Sequence, residues 1–320
     1  MALTLSEAQN LSQNMLRKGI VELLVKEIPL FRLLPFVTIE GNALAVNRED
    51  TSNMGSVSFK GINGNWTSDE AETTQVTFSL YTLGGQADVD NLIQKSMSNF
   101  NDQMAAQVAI KTKLMGHEFE SRCIYGDASV SNGFTGLHAL MDAVDDGVQT
   151  LHMSENDDGS GDVLSMKTLD EAIDNCKRAG TPGAIILAPA MMRSISQYLR
   201  SVGSNMSKRD EYGHQWEVWG TDEVPFVVSD QINIVETIGN DNKYSGATGG
   251  ATTSIFVVHF GEGDGLVGVQ NGGIVTEQFD KLESKDASRT RVKWYTGIAL
   301  YSTLAVVRID GILPNGTVTA

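Results

Sequence analysis

Apolar residues recur at helical spacing at the start of the chain: Leu5, Ala8, Leu11, Met15 and Leu16, then Ile20, Leu23 and Leu24 after Gly19. This spacing predicts a short amphipathic helix over 3–26. Pro29 and Pro35 stop regular helix, so the apolar stretch 30–37 reads as an extended arm lying over another surface. The period then changes to two. Val57 and Phe59 alternate with Ser56, Ser58 and Lys60, and Val76, Phe78 and Leu80 alternate with Thr77, Ser79 and Tyr81, which predicts a two-stranded antiparallel ribbon tipped by the polar stretch 61–67. An isolated hairpin is marginal in water, so its apolar face needs another surface, in the same chain or on a neighbour.

The strongest periodic signal covers about 89–122, where Ile93, Met97, Phe100, Met104, Val108, Met115 and Phe119 follow steps of three or four with one apolar position missing. A helix of that length would run roughly 50 Å, a spine rather than an ordinary globular element. An irregular stretch follows, and then a compact α/β pattern. Thr168 with Glu171 reads as a capping box for a helix ending near Gly180, 184–188 as a buried strand, 190–202 as a second helix, and 226–229 and 255–260 as short strands. Residues 275–279 and 289–293 read as paired strands around a charged turn, and 298–309 as one long apolar strand.

Composition narrows the classes. With 41% hydrophobic residues in 320, the chain can pack a core as one elaborate domain or two lobes. A net charge of −16 argues against gripping a phosphate backbone, although not against enclosing one. Cys123 and Cys176 form no CxxC pair and read as free thiols in a reducing compartment. The N-terminus has no export signal, and no stretch is apolar for long enough to span a membrane.

Candidate chemistry is sparse. Gly263-Asp264-Gly265-Leu266-Val267-Gly268 matches GxGxxG, but β-branched residues and two more glycines follow where a phosphate site needs a helix, so a turn is favoured. The acidic run 155–162 has serine where a calcium loop needs its bidentate glutamate. His117, His138, His152, His214 and His259 show no metal-ligand spacing. There is no GxSxG elbow and no Walker A loop. The reading is therefore of no catalytic residue, cofactor or metal.

The order of parts is specific: arm, ribbon, long helix, α/β lobe, returning strands. It resembles the major capsid proteins of tailed double-stranded DNA bacteriophages, the HK97-like fold family. Local text agrees, with Gly133-Phe134-Thr135-Gly136-Leu137 resembling the family's glycine turn and Ala184-Ile185-Ile186-Leu187-Ala188-Pro189-Ala190 its axial-domain strand and helix. Val224-Pro225-Phe226-Val227-Val228-Ser229-Asp230 resembles the next strand, and Trp294-Tyr295-Thr296-Gly297-Ile298-Ala299-Leu300 the closing strand. The resemblance implies an α+β chain with an N-arm (1–46), an extended β-hairpin E-loop (47–85), a P-domain with the spine helix (86–166), an α/β A-domain (167–275), and P-domain return strands with the C-terminus (276–320).

It also implies a structural protein that assembles as hexamers and pentamers into an icosahedral shell around double-stranded DNA, made in the host cytoplasm and residing in the virion. Its partners would be further copies, a portal protein, and separate scaffold or decoration proteins, with no membrane. Inter-subunit contact candidates are Arg48, Glu49, Val57, Phe59, Lys60, Trp66, Glu70, Glu72, Val76 and Phe78. The charged members serve either to discourage stray edge pairing or to bridge subunits. Two alternatives stand beside this: an encapsulin-like nanocompartment holding a cargo enzyme, and a soluble α/β enzyme built on the lobe 167–275.

Overall fold

A computed structural model of the chain describes residues 28–49, 57–66, 70, 73–91, 103–128, 132–144, 147–153, 161–203, 206–211, 214–220, 222–236, 252–279 and 286–319. The expected helix over 3–26 and most of the acidic run 155–162 lie outside these.

The entering segment is less extended than its prolines predict. Leu30–Leu33 forms a single helical turn (α1), and Phe36–Thr38 (β1) pairs in parallel with the long strand β11, Leu266–Phe279. The surface it lies over is the chain's own: Leu30 and Leu34 are buried, and Phe31 and Phe36 stack on Phe119 with ring centroids 5.0 and 5.9 Å away.

The ribbon is real, but its strands are Ala43–Glu49 (β2) and Thr73–Ser79 (β3), with Leu44 opposite Phe78 and Val46 opposite Val76. The partner expected for β3, residues 56–60, is not a strand where it is described. The stretch 57–59 alternates apolar and polar residues, whereas β2 runs Ala43-Leu44-Ala45-Val46 and then Asn47-Arg48-Glu49, apolar and then polar, so alternation points to the wrong partner. What decides is that β2 can place Leu44 and Val46 on the sheet below.

Tyr81–Asp90 (β4) continues into a four-stranded sheet of order β1-β11-β12-β4, in which β12 is Ala287–Leu300. Val89, expected to open the spine helix, is instead paired with Ser288 at the end of β4, where Ala87 and Val89 are buried at a period of two. The described helix α2 is Gln103–Tyr125, about 35 Å long; Ile93, Met97 and Phe100 lie outside the described residues. Val108, Met115 and Phe119 face the sheet as the spacing predicts. The apolar residue missing from the periodicity is Thr112, fully buried, with its hydroxyl donating to the Val108 carbonyl at 2.8 Å. That bond satisfies the one polar atom on the face.

Gly126 and Gly136 let the chain turn tightly into α3, Leu137–Asp142: a Cβ on Gly126 would sit 2.3 Å from the Phe134 carbonyl oxygen. The chain then enters a seven-stranded sheet of order β5-β13-β10-β6-β9-β8-β7. Its strands are Thr150–His152 (β5), Ala184–Leu187 (β6), Ser207–Glu211 (β7), His214–Trp219 (β8), Val224–Val228 (β9), Thr253–Val258 (β10) and Val306–Ile312 (β13). Helices α4 (Met166–Cys176) and α5 (Pro189–Val202) share one face, packing on Ile185, Leu187, Ile255 and Val257, while α2 and α3 occupy the other against Ile186, Phe256 and Val258. Coverage on both faces explains why β6 and β10 read as continuous apolar runs.

Two local expectations are corrected here. The N-cap of α4 is Ser165, with no side-chain cap bond; Thr168 and Glu171 fall inside the helix because burial of Leu164 and Met166 starts it earlier. The apolar run 298–309 is not one strand. It ends in β12 at Leu300, makes a 3-10 turn Thr303–Ala305 in which Leu304 N–H donates to Ser302 Oγ at 3.3 Å, and resumes as β13 in the other sheet. Ser302 and Thr303 are the polar break that marks this crossing. The GxGxxG stretch is a turn feeding β11, with Gly263 at φ +105° and Gly268 pressed against Phe36, whose ring a Cβ would approach to 2.4 Å.

Candidate inter-subunit surface

The ribbon has a clamped base and a bare tip. At the base, Leu44 and Phe78 pack on Val267, Val269 and Ala299 of the four-stranded sheet. Arg48 lies over the Phe78 ring at 5.6 Å, and its guanidinium donates to the carbonyls of Leu300 and of Tyr301, the latter at 3.1 Å. Burial lowers the Arg48 pKa from its ordinary value. Arg48 and Phe78 thus hold the ribbon against its own chain, while Val76 is half-buried opposite Val46 within the ribbon.

The tip is different. Gly64 N–H donates to the Gly61 carbonyl at 3.0 Å, and Asn63 adopts φ +65°, a left-handed turn that asparagine tolerates. Val57, Phe59 and Ile62 are fully exposed and Trp66 is 70% exposed, with the Lys60 ammonium 4.4 Å from the Trp66 ring centre. Glu70 is exposed as well. Glu72 lies outside the described residues, and of Glu49 the backbone alone is described, opposite Thr73. The residue missed by the sequence reading is Ile62. It sits among Gly61, Asn63 and Gly64, and an apolar residue isolated in a polar turn has no periodicity to give it away.

Four large apolar side chains thus stand in water within ten residues, the kind of exposed patch that marks a candidate interaction surface. Covering one such side chain contributes about 1.5–3 kcal/mol. Association itself costs on the order of 4–15 kcal/mol. Burial on that scale is small beside the cost of association, and only contacts of this size repeated many times sum to a stable assembly.

Elsewhere the polar groups are structural. Arg308 is buried on β13 and donates to Asp142 and to His138 Nε2, the latter at 2.8 Å, while His138 Nδ1 lies 3.0 Å from Asp142. An arginine only donates, so Nε2 is the acceptor and Nδ1 faces the Asp142 carboxylate. His152 Nδ1 lies 2.8 Å from Asp310. These contacts tie α3 and β5 to β13. Burial pushes both thiols, Cys123 and Cys176, up to about 12, far from thiolate chemistry. Among the described residues no cluster of His, Cys, Asp and Glu could hold a metal ion, and no helix is long and apolar enough to cross a membrane.

No protein-family model and no curated protein matches the sequence. Solved structures do. The SrpI encapsulin from Synechococcus elongatus superposes with a TM-score of 0.67 at 19% identity, over 91% of this chain and 89% of that one. The capsid of a native GTA particle gives 0.59 at 11% identity, over 88% and 89%. Mycobacterium phage Bobi gives 0.59 at 11% identity, again over 88% and 89%. The chain has the mixed α+β HK97-like capsid-shell fold, common to tailed-phage capsids and encapsulins.

Proposed function

We propose that this chain is a shell subunit and not an enzyme: the major capsid protein of a tailed phage, assembling through hexameric and pentameric capsomers into an icosahedral wall around double-stranded DNA. The observation that carries the reading is the bare ribbon tip, with Val57, Phe59, Ile62 and Trp66 in water on a chain whose fold is that of shell subunits. Neighbouring copies cover the tip, with Lys60 and Glu70 at its rim. The N-arm, E-loop, P-domain and A-domain take the roles their order implies. A charge of −16 suits a wall that contains DNA without holding it. Portal, scaffold or decoration proteins complete such a virion.

A second reading, an encapsulin-like compartment around a cargo protein, is supported by the higher TM-score to the SrpI encapsulin than to the GTA and Bobi capsids. Electron microscopy of the purified protein tests the common part, where closed particles are expected and a monodisperse monomer overturns both readings. The content of the particles then separates them. Nuclease-resistant double-stranded DNA with a co-purifying portal protein supports the capsid; a stoichiometric protein cargo without genome-length DNA supports the compartment.

A further inference from the structure

Two hollows of about 540 Å³ each flank the helical layer of the α/β lobe, and they carry opposite charge. The first lies along α5 beside β9, lined by Pro189, Met192, Arg193, Ser196, Gln197, Arg200 and Val228. Arg193 and Arg200 stand two turns apart on the exposed face of the helix, no carboxylate lines the hollow, and among the described residues neither guanidinium has an ion pair. The second lies at the β5 edge, where Asp162 and Glu171 are exposed and no lysine or arginine is in the lining. His152, its one basic group, is already engaged with Asp310.

Both hollows border the same apolar core, since Met192 and Val228 pack on it from one side and Leu151 and Met153 from the other. They therefore open on the same face of the sheet. In the strand order β5-β13-β10-β6-β9, β5 and β9 are four steps apart, about 19 Å. A basic flank at β9, two strands in from the β7 edge, and an acidic flank at the β5 edge are too far apart to meet within a chain, but they can meet between copies.

Copies each carrying −16 repel one another as they approach, so a contact between them needs locally opposed charge. Guanidinium groups match carboxylates in geometry as well as in sign. We infer that the Arg193/Arg200 flank of one copy docks on the Asp162/Glu171 flank of the next, a head-to-tail contact that closes lobes into a ring. This inference rests on the shell-subunit reading and names one junction within it. A head-to-tail contact repeated with a closing rotation gives a ring.

The test is charge reversal with exchange. Arg193→Glu/Arg200→Glu makes both flanks acidic, and Asp162→Lys/Glu171→Lys makes both basic. All four positions are exposed, so each variant is expected to keep the wild-type melting temperature while particle yield by light scattering falls at least tenfold. The four-site variant in a single chain restores opposite charges at every junction and is expected to recover assembly. An equimolar mixture of the two double variants recovers it by alternation. Alternation closes even rings, whereas a five-membered ring must contain a junction of like sign, so native mass spectrometry and microscopy of the mixture are expected to show six-membered rings and few five-membered ones. If charge reversal destabilises a variant, Arg193→Gln/Arg200→Gln replaces it, with a smaller loss that 1 M salt removes. Wild-type assembly with no loss in any variant, or no recovery in the four-site chain, overturns the junction alone. Failure of the wild type to assemble overturns the shell reading and the junction with it.

Discussion

The seven-stranded lobe and the ribbon tip are built from similar apolar residues and solve opposite problems. In the lobe, Ile185, Ile186, Phe256, Val257 and Val307 have no exposure to solvent, and every central strand is paired on both sides and covered on both faces. In the tip, Val57, Phe59 and Ile62 bury nothing in their own chain. The lobe buries its apolar side chains within one chain, and the tip is proposed to be one half of an interface. The same side chain thus contributes to folding in one place and to association in the other, and measurements on the dissociated subunit and on the particle should separate the two.

The largest effect is expected in the lobe. Phe256→Ala empties a site between β13 and β6 and should lower subunit stability by about 3–5 kcal/mol in denaturant unfolding, with particles lost because subunits are lost. A change below about 1 kcal/mol would mean that the lobe is not the rigid body described. Arg308→Ala comes next. It takes the guanidinium from the partly exposed Asp142 and the more buried Asp310, leaving each its histidine partner, and a loss of about 3 kcal/mol is expected at neutral pH.

A smaller effect, of the opposite sign, is expected where the long helix meets the lobe. Glu120 on α2 is buried and accepts a hydrogen bond from the Ser229 hydroxyl at 2.8 Å, just past β9. Desolvation raises its pKa above the ordinary value; the Ser229 bond and nearby His117 oppose that shift, and Asp230 adds to it. A carboxyl with a raised pKa in the folded state binds its proton more tightly there than when unfolded. The penalty for burying its charge is therefore fully present above the folded pKa and is relieved as pH falls through it. Glu120→Gln keeps an acceptor for Ser229 and removes the charge, so it should stabilise the subunit at pH 7, read as a higher denaturation midpoint than wild type. That advantage should fade towards pH 4; an advantage that does not change with pH would assign it to packing instead.

The contrast between lobe and tip also explains what could be read from the sequence. Buried strands such as Ala184–Leu187 and the helix Pro189–Val202 were legible because burial on fixed faces imposes a pattern, and the order of elements was legible because each keeps its own period. Three things were not. The true partner of β3 was hidden because β2, Ala43–Glu49, runs apolar and then polar without alternation, while 57–59 alternates and is no strand. The crossing at Thr303–Ala305 was hidden because both of its flanks are apolar, each for a different core. The double duty of the ribbon was hidden because Arg48 looked like a surface charge, and its anchorage on the carbonyls of Leu300 and Tyr301 depends on residues some 250 positions away. The opposed charges of α5 and the β5 edge are likewise dispersed from Asp162 to Arg200 and become a pattern only when the sheet order places them.

The smallest effect on the folded subunit, and the one that tests the contrast most directly, is expected at the tip. Phe59 is fully exposed, so Phe59→Ser removes no contact from the isolated chain and should leave its unfolding midpoint within about 0.5 kcal/mol of wild type. The particle should respond differently, because each subunit inserts its own tip and a loss of about 1.5–3 kcal/mol recurs at every such contact. The critical concentration for assembly should rise by at least tenfold, measured by light scattering on subunits of equal stability. Lys60→Gln should do less, since an exposed cation over an aromatic ring contributes about 0.5–1 kcal/mol and Trp66 remains to be covered. If Phe59→Ser leaves assembly unchanged while the subunit also remains stable, the tip is not half of an interface. The exposed Trp66 and Ile62 would then be solvent-facing in the particle as they are in the chain, and the contacts between subunits would have to be sought on the lobe.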